Sequence, residues 1–452
     1  MLADPAYHAA LASIFAYSET ARSPDQIKVG RVRKLDRMRA LLGLVGNPQA
    51  RYPSILIAGT KGKGSMAASL ASILTAAGYR VGRYTQPHLY SYRERTWVNG
   101  DFITPGEVAK VLEEIEPALE LIRRQVSEIG CLTTFDVGTV LSLVSFARAG
   151  VDVAVVEVGV GGATDATNVL EPVISLIGPV GLDHRPTLGP DLGSIAREKA
   201  GVARSGASLI VGRQEREALE VIEAHACRVG ASMRALGRDF RAEASDWSPD
   251  SFQFEGGLGE IGGLRTPLQG DFQRDNAVTA VAAAVALTRT GWSIADEAIR
   301  EGLSSVEWPG RFQTVVANPL TIVDGAHNGS AARALASAIR GCLAGRRVTL
   351  VFGMAEDKDA RAFVAELAPL VERVVVTRAR HARSTDPAEI APVLGEVGVP
   401  YAIVPAPGEA LQRAWEELPA NGAVLVSGSL FLVGDIMEWL LGAHARVPQV
   451  VS

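Results

Sequence analysis

Lysine, cysteine and uninterrupted apolar runs are all scarce in this chain. Its three cysteines lie far apart, at positions 131, 227 and 342, which argues against a disulfide framework or a cysteine-based metal site and predicts reduced thiols in a cytoplasmic protein. The most apolar stretch, 137–160, carries three charged residues, so we expect a buried helix and strand rather than a membrane span. The first 17 residues lack the basic start and apolar run of a secretory signal, and none is predicted.

Neither sign of charge dominates the sequence. The net charge is −5, which argues against nucleic acid or another polyanion as a partner but leaves room for a local basic pocket. With 452 residues, of which 47% are hydrophobic, the chain is expected to form a globular protein of two or three domains.

Only seven of the 45 basic residues are lysine. Because arginine serves wherever a generic positive charge is needed, the remaining lysines are expected where guanidinium chemistry would not serve. Four of the seven, Lys61, Lys63, Lys199 and Lys358, lie within polar motifs. These lysines are therefore candidate functional residues.

A glycine-rich segment follows the first predicted strand, Ser54–Ala58. Its residues are Gly59, Thr60, Lys61, Gly62, Lys63, Gly64 and Ser65. With a helix predicted over 66–77, the segment would form a phosphate cradle in which Lys63 reaches the terminal phosphates and Ser65 can ligate Mg²⁺. The strict phosphate-loop pattern is not met, since Ile57 replaces its first glycine and Gly64 separates lysine from serine. A plain strand–turn–helix connection remains open from this segment alone.

Two series of alternating strands and helices predict an α/β protein with two domains. The first, over 1–309, is expected to be a P-loop NTPase-like domain with a mostly parallel sheet, in which 151–158 forms a central strand buried on both faces. Glycine-rich alternation over 239–268 predicts antiparallel strands. A boundary is predicted at Trp308-Pro309-Gly310-Arg311, and a Rossmann-like α/β domain is expected over 310–452.

Polar residues recur where predicted strands end, which is where open α/β sheets bind ligands. Glu157 closes the strongest strand, and Asp183-His184 follow another; with the glycine-rich segment they predict a magnesium–nucleotide site. In the second series the clusters are Asp324-Gly325-Ala326-His327-Asn328, Asp357-Lys358-Asp359 and Ser427-Gly428-Ser429. A second half-site is one interpretation of these clusters, and a helix-capping histidine is another for His327.

Taken together, the motifs resemble those of folylpolyglutamate synthases and the related dihydrofolate synthases, which are Mur-type ATP-dependent amide ligases. The resemblance runs from about residue 28 to about residue 437. It rests on the ordered segments 59–65, Gln86-Pro87-His88-Leu89, 157–162 with Asp165-Ala166-Thr167-Asn168, 182–184, 197–201, 308–312, 324–328 and 427–430.

The resemblance implies a reaction in which ATP activates a substrate carboxylate as an acyl phosphate, which the amino group of L-glutamate then attacks. The implied substrates are folate or dihydropteroate, and the implied enzyme is a cytoplasmic monomer without nucleic-acid or membrane partners. The C-terminal domain is implied to hold glutamate and to close over ATP. Lys63, Lys199, His184 and Glu157 are the implied catalytic residues.

Ligand roles follow from the same resemblance. ATP is implied to bind to residues 59–65 and to Gln273, Asn276, Arg311 and Asp324. Two Mg²⁺ ions are implied at Ser65, Gln86, Glu157, His184 and a carbamylated Lys199; a carbamate requires an amine that can lose its proton, which arginine cannot supply. The residues implied to contact the glutamate and folate substrates are Asp136, Asp165, His327 and Ser427.

Several positions depart from the family pattern. Gln86 replaces a serine, Ala163 an arginine, Asp136 a glutamate and Phe272 a histidine. Because the departures fall mainly on the substrate side, a non-folate carboxylate remains an alternative substrate. A P-loop kinase or nucleotide switch is disfavoured because it leaves the second α/β series unexplained. An inactive nucleotide-binding homologue is disfavoured by the retained lysines and Glu157.

Overall fold

The computed structural model describes residues 4–19, 33–125, 129–244 and 251–442. The chain divides into two units. Unit 1 comprises Met1–Pro267 and Asp275–Val306, and unit 2 comprises Leu268–Arg274 and Glu307–Ser452.

Unit 1 contains an eight-stranded sheet and a three-stranded sheet. In chain order their strands are β1 (Ser54–Ala58), β2 (Val81–Tyr84), β3 (Thr96–Val98), β4 (Asp101–Phe102), β5 (Val153–Glu157), β6 (Pro172–Ile177), β7 (Ser208–Val211), β8 (Ser232–Ala235), β9 (Phe240–Ala244), β10 (Phe252–Gly256) and β11 (Gly259–Leu264). The larger sheet has the order β4-β3-β2-β5-β1-β6-β7-β8. Strands β9, β10 and β11 pair antiparallel, as the alternation over 239–268 predicts.

The larger sheet is parallel except at β3 and β4, which form its antiparallel edge. Every residue of β1 and of β5 is buried. In β1, Leu56 and Ala58 pack into one apolar cluster whereas Ile55 and Ile57 pack into another. Both faces of the sheet are therefore covered, which is why its central strands are apolar throughout rather than alternating.

The helices of unit 1 cover both faces of this sheet. They are α1 (Pro5–Glu19), α2 (Lys34–Leu44), α3 (Lys63–Ala76), α4 (Pro105–Arg123), α5 (Thr134–Ala149), α6 (Arg185–Leu188), α7 (Leu192–Ala200), α8 (Arg216–Val229), α9 (Asp271–Thr288) and α10 (Asp296–Ser304). Short 3₁₀ turns lie at Pro48–Arg51, Tyr92–Arg95 and Ala166–Val169. The first turn of α9 belongs to unit 2.

Helix α3 begins three residues earlier than the helical pattern predicts. Gly62 adopts the left-handed conformation at the N-cap, with φ of 75°, so Lys63, Gly64 and Ser65 form the first turn instead of the loop. Glycine is the residue that accepts such a φ without steric cost. The free N–H groups of this helix terminus therefore lie within the predicted phosphate loop.

Unit 2 contains a six-stranded sheet in the order β12-β13-β17-β14-β15-β16. Its strands are β12 (Gln313–Ala317), β13 (Leu320–Val323), β14 (Arg347–Phe352), β15 (Arg373–Val376), β16 (Tyr401–Ile403) and β17 (Gly422–Ser427). Its helices are α11 (Gly329–Cys342), α12 (Ala360–Leu367), α13 (Pro387–Val397), α14 (Pro407–Glu416) and α15 (Leu430–Gly442), with a 3₁₀ turn at Ala368–Leu370. The sheet is parallel except for β12, an antiparallel edge strand that the alternation of strands and helices did not predict. Among the described residues, no helix is long and apolar enough to cross a membrane.

Gly302 permits close packing between α10 and α3. A Cβ on Gly302 would lie 2.6 Å from the backbone nitrogen of Ile73 and 2.7 Å from the backbone oxygen of Ser72. We expect Gly302→Ala to lower the free energy of unfolding by about 1–3 kcal/mol, because backbone atoms cannot move aside as a side chain does.

Gly341 in α11 provides the matched control for that substitution. It is also helical, but a Cβ there would meet nothing within 4 Å. Gly341→Ala should therefore raise stability by about 0.5–1 kcal/mol, as is usual for alanine in a helix. Urea unfolding followed by circular dichroism measures both changes, and equal effects would contradict the packing argument.

Candidate active site

The phosphate loop is fixed to a neighbouring loop by backbone hydrogen bonds. The amides of Thr60 and Lys61 both donate to the carbonyl of Pro179, at 2.9 Å and 3.3 Å. The hydroxyl of Thr60 and the backbone of Gly181 are 3.1 Å apart. Gly59, at φ of 147°, passes so close to Gly178 that a Cβ would lie 3.1 Å from its Cα. A side chain at position 59 would therefore disturb the joint between the two loops.

Two lysines converge on one carbonyl of this loop. The Nζ atoms of Lys63 and Lys199 donate to the oxygen of Gly59 at 3.2 Å and 2.9 Å. The carboxylate of Glu157, at the end of β5, lies 3.8 Å from the Nζ of Lys63. The other carboxylate oxygen of Glu157 accepts the amide of Gln86 at 3.2 Å. The arrangement brings two amines to the N-terminus of α3, where the helix dipole and the free N–H groups favour an anion.

Lys199 lies in an environment that disfavours its charged form. The side chain is buried, with 4% of its surface exposed. Burial, reinforced by the nearby charge of Lys63, lowers the pKa of Lys199 to about 7, against the opposing effect of Asp183, Asp165 and Glu198. Near neutral pH the amine is therefore available in its neutral, nucleophilic form.

Helix α7, which carries Lys199, is held against the segment after β5 by close packing at Gly162 and hydrogen bonds from Thr164. Glycine is required at 162, where a Cβ would lie 2.6 Å from the backbone oxygen of Glu198. The amide and hydroxyl of Thr164 both donate to the carboxylate of Glu198, at 2.8 Å and 2.7 Å. Gly162 thus permits the close approach of α7 to the segment that follows β5. Glu157 lies at the end of that strand.

Asp165, Gln86 and Phe135 meet around Gly159. A Cβ on Gly159 would lie 2.7 Å from Cζ of Phe135, 2.8 Å from Nε2 of Gln86 and 3.0 Å from Oδ2 of Asp165. Gly159 lies two residues after Glu157, so Asp165, implied on the substrate side, and Gln86, implied as a magnesium ligand, both adjoin the end of β5. Lys34 approaches Asp165 at 3.6 Å; sequence reasoning did not single it out, although the scarcity of lysine was an available signal.

Asp136, which the resemblance implies on the substrate side, lies in a buried ion pair. One of its carboxylate oxygens accepts both the Nε and the Nη2 of Arg37, at 3.2 Å and 2.9 Å. The same oxygen accepts the amide of Thr133 in a capping box at the start of α5. The second oxygen of Asp136 is buried and has no hydrogen-bond partner among the described residues. The geometry gives Asp136 a structural role in joining α2 to α5.

His184 differs from the other implied ligands in its exposure. It caps the short helix α6 in a left-handed conformation, with φ of 49°, and its side chain faces solvent. Its amide donates to the carboxylate of Asp183 at 2.8 Å. Among the described residues, no three His, Cys, Asp or Glu side chains form a metal-binding group.

The oxygen donors beside the phosphate loop fit magnesium. Mg²⁺ is usually held by one or two carboxylates together with substrate phosphates, so a cluster of three acidic or imidazole ligands is not required. Ser65 and Glu157 supply hard oxygen donors, and both are buried beside the phosphate loop. No residue in the described part of the chain forms a hydrogen bond with the buried Nε2 of Gln86. Turning the amide by 180° would put its oxygen there instead.

A second group of candidates lies where β13 and β17 end in unit 2. The carboxylate of Asp324 accepts the amides of Phe312 and Ala326 at 2.9 Å and 2.8 Å. Burial raises the pKa of Asp324, while Arg311 and those two amides oppose the shift. The hydroxyl of Ser427 donates to the carbonyl of Asp324 at 2.8 Å. Arg311 lies against Gly325, where a Cβ would collide with its guanidinium group.

The other implied ATP and glutamate residues are distributed between the units. Asn276 belongs to unit 1 and leaves no room for a side chain at Gly62. Gln273 belongs to unit 2 and is buried, next to Phe272, which packs against the unit 2 core. His327 lies in unit 2, where its Nδ1 is 2.9 Å from the carbonyl of Gly325.

Known proteins resemble this chain over nearly its whole length. The Mur ligase glutamate ligase domain matches residues 310–430. The Escherichia coli (strain K12) dihydrofolate synthase/folylpolyglutamate synthase is 35% identical over 428 residues, which cover 95% of each chain.

Two solved structures agree along nearly the whole chain. E. coli FolC in complex with DHPP and ADP has a TM-score of 0.84 and 33% identity, covering 96% of this chain and 98% of that one. Mycobacterium tuberculosis folylpolyglutamate synthase complexed with ADP has a TM-score of 0.85 and 32% identity, covering 95% and 97%. The protein is an acid–amino-acid ligase of the Mur type. More narrowly, the chain belongs to the folylpolyglutamate synthase/dihydrofolate synthase family.

The buried pair of Arg37 and Asp136 yields a stability prediction. Arg37→Met leaves Asp136 buried without its cation, which should cost about 3–5 kcal/mol of unfolding free energy. Arg37→Met combined with Asp136→Leu removes both charges and should recover most of that loss. Thermal and urea unfolding of the two variants measure the difference. A double variant no more stable than Arg37→Met would contradict the structural role of the pair.

Proposed function

We propose that this protein uses ATP to add L-glutamate to the carboxylate of a folate, or of dihydropteroate, through an acyl phosphate, with release of ADP and phosphate. The observation that carries the proposal is the convergence of Lys63 and Lys199 on the Gly59 carbonyl beside Glu157. The free N–H groups of the helix N-terminus and the side chain of Lys63 suit the phosphates of ATP, while Lys199 is placed beside them for a different role. The site adjoins Asp165 through Gly159.

ATP binding is assigned to residues 59–65 and to four further residues. Residues 59–65 hold the phosphates through backbone N–H groups, and Lys63 neutralises charge that develops on the transferred phosphoryl group. The roles of Asn276 and Gln273 at the base, Arg311 at the phosphates and Asp324 at the ribose rest on the family resemblance. The buried carboxylate of Asp324, fixed by two amides, has the rigidity that ribose recognition needs.

Ser65, Gln86, Glu157, His184 and Lys199 would hold two Mg²⁺ ions, which when bound neutralise and orient the phosphate oxygens. For Lys199 this requires a carbamate. The neutral amine attacks carbon dioxide, a C–N bond forms, and one proton passes to solvent. The buried position and the pKa of about 7 support this modification, because a protonated amine cannot react.

The chemical steps follow from positioning and charge. A carboxylate oxygen of the acid substrate attacks the γ-phosphorus of ATP, and the bond to ADP breaks. The amine of glutamate then attacks the acyl carbon, loses a proton, and expels phosphate.

The substrates are assigned to residues of both domains. Asp165 is assigned to the acid substrate, and His327 and Ser427 to glutamate. We assign 1–309 to nucleotide and folate binding and 310–452 to glutamate. A monomeric cytoplasmic enzyme is part of the proposal.

An acid other than a folate is the second candidate substrate. The observation that favours it is the environment of Gly159, where the amide of Gln86, rather than the family's serine, faces Asp165 and Phe135. Such a change alters the side of the site that receives the acid while leaving the phosphate side intact.

A coupled assay distinguishes the two candidates. The protein is incubated with ATP, Mg²⁺ and labelled glutamate, together with tetrahydrofolate, dihydropteroate or a panel of other carboxylic acids. Phosphate release with labelled product from a folate or dihydropteroate is the expected result. Release with a different acid alone would overturn the folate proposal, and inertness toward every acid would favour a nucleotide-binding homologue without activity.

Replacement of Lys199 tests the carbamate. Lys199→Arg keeps a positive charge but cannot be carbamylated, so kcat should fall by about 10²–10³-fold, the usual loss when one preorganised electrostatic group is removed. Addition of a short carboxylic acid to Lys199→Ala should restore part of the activity. ADP binding measured by calorimetry serves as the control for folding. Full activity of Lys199→Arg would exclude the carbamate.

A further inference from the structure

The loop at 178–181 lies directly against the phosphate loop. Thr60 and Lys61 donate their amides to the carbonyl of Pro179. A Cβ on Gly178 would lie 2.6 Å from the backbone oxygen of Lys61, so the two backbones are in close contact. A displacement of the loop at 178–181 would therefore also displace the backbone N–H groups of the phosphate loop.

The side chain of Gln214 holds the loop at 178–181 on its other side. Gln214 lies three residues after the end of β7. Its Nε2 donates to the carbonyl of Gly178 at 2.9 Å, and its Oε1 accepts the amide of Val180 at 3.0 Å. Gly178 and Val180 are both buried, whereas Gln214 is half-buried. Because buried backbone groups are costly to leave unpaired, these two bonds favour the observed path of the loop.

The two partners of Gln214 require an amide. The N–H of Val180 can only donate and the carbonyl of Gly178 can only accept, so the amide oxygen must face Val180 and the amide nitrogen must face Gly178. A carboxylate has the same shape but only accepts. Glutamate at 214 would place an oxygen against the Gly178 carbonyl, where the structure has a donor.

The preceding residue, Arg213, makes a different kind of contact. Its guanidinium group pairs with the carboxylate of Asp275 on α9, at 2.6 Å and 3.2 Å, and its side chain is 63% exposed. Exposed ion pairs of this kind contribute little. Arg213 and Gln214 thus share one segment, but within the described residues only Gln214 of these two bonds to the loop at 178–181.

We propose that Gln214 is a positioning residue for ATP binding, because it holds the loop at 178–181 against the phosphate loop and so fixes the N–H groups that bind the phosphates. Gln214 acts through that loop and needs no contact with the nucleotide. The inference rests on the proposed function in placing the phosphates at residues 59–65. Loss of the amide should therefore weaken ATP and ADP binding and leave the KM of the acid and of glutamate unchanged.

The test compares Gln214→Glu with Gln214→Ala in the full-length protein. Gln214→Glu should raise the KM of ATP and the Kd of ADP by about tenfold, as expected when a buried carbonyl loses its donor. Gln214→Ala should raise both by less, since water can replace the amide at this half-buried position. A role in filling space predicts the opposite order, because glutamate has the size of glutamine and alanine does not. That order, or no change with either variant, would overturn the inference.

Arg213→Gln is the matched control. It alters the neighbouring residue and removes an exposed ion pair, so it should change the Kd of ADP by less than about twofold. Losses as large as that of Gln214→Glu would show that any loosening of this segment suffices, and would contradict a specific role for Gln214. Circular dichroism and urea unfolding establish that each variant is folded.

A double-mutant cycle with Thr60→Ala tests the route by which Gln214 acts. The hydroxyl of Thr60 and the backbone of Gly181 are 3.1 Å apart, which joins the phosphate loop to the loop at 178–181. The combined effect of Thr60→Ala and Gln214→Glu on the Kd of ADP should differ from the product of the single effects by at least about threefold, as for residues in one network. Effects that simply multiply would show that Gln214 does not act through this joint.

Calorimetry with ADP keeps this inference distinct from the proposed function. If the wild type and Gln214→Glu bind ADP equally well, the inference about Gln214 is wrong and the proposed function stands. If the wild type binds neither ADP nor ATP, the ATP-dependent reaction fails, and the inference fails with it.

Discussion

The carbonyl of Gly59 accepts hydrogen bonds from the side-chain amines of two lysines, and this contact ties three parts of unit 1 together. Lys63 reaches the carbonyl from the first turn of α3, and Lys199, 140 residues after Gly59, reaches it from α7. Burial of Lys199, together with the nearby charge of Lys63, lowers the pKa of Lys199 to about 7. Glu157 lies 3.8 Å from the Nζ of Lys63 and forms an ion pair with it. The carbonyl thus joins this ion pair to a buried amine that is able to lose its proton.

The packing around this contact explains several sequence features that otherwise look unrelated. A side chain at Gly62 would displace Asn276, and one at Gly162 would collide with the backbone of α7. A side chain at Gly159 would displace the neighbouring side chains of Gln86, Asp165 and Phe135. Glycine in such positions costs conformational entropy, which the fold accepts because the site needs close backbone approach. The apolar strands β1 and β5 hold these glycines at fixed places, because both strands are buried on both faces.

Much of the fold could be predicted because local signals were strong. The apolar strand predicted over 151–158 and the Glu157 that ends β5 are both properties of contiguous residues. The ion pair of Arg37 with Asp136 spans 99 residues, and no local pattern reveals it. For the same reason Lys34, whose partner is Asp165, was not singled out. The assignment of Asp136 to the substrate side, which rests on the family resemblance, stays a prediction. Strand β12 escaped prediction because it is a short edge strand that begins with polar residues.

The joint between the phosphate loop and the loop at 178–181 is made largely of main-chain atoms. Thr60 and Lys61 donate their amides to the carbonyl of Pro179, and Gly59 rests on the backbone of Gly178. The two glycines are the positions at which this junction restricts the sequence, because a Cβ on either would lie within about 3 Å of a backbone atom of the other loop. The main-chain carbonyl at 179 is a group that every amino acid offers, so its hydrogen bonds depend on the backbone path and not on a side chain. Side chains that face the acid substrate are therefore not needed to hold the two loops together.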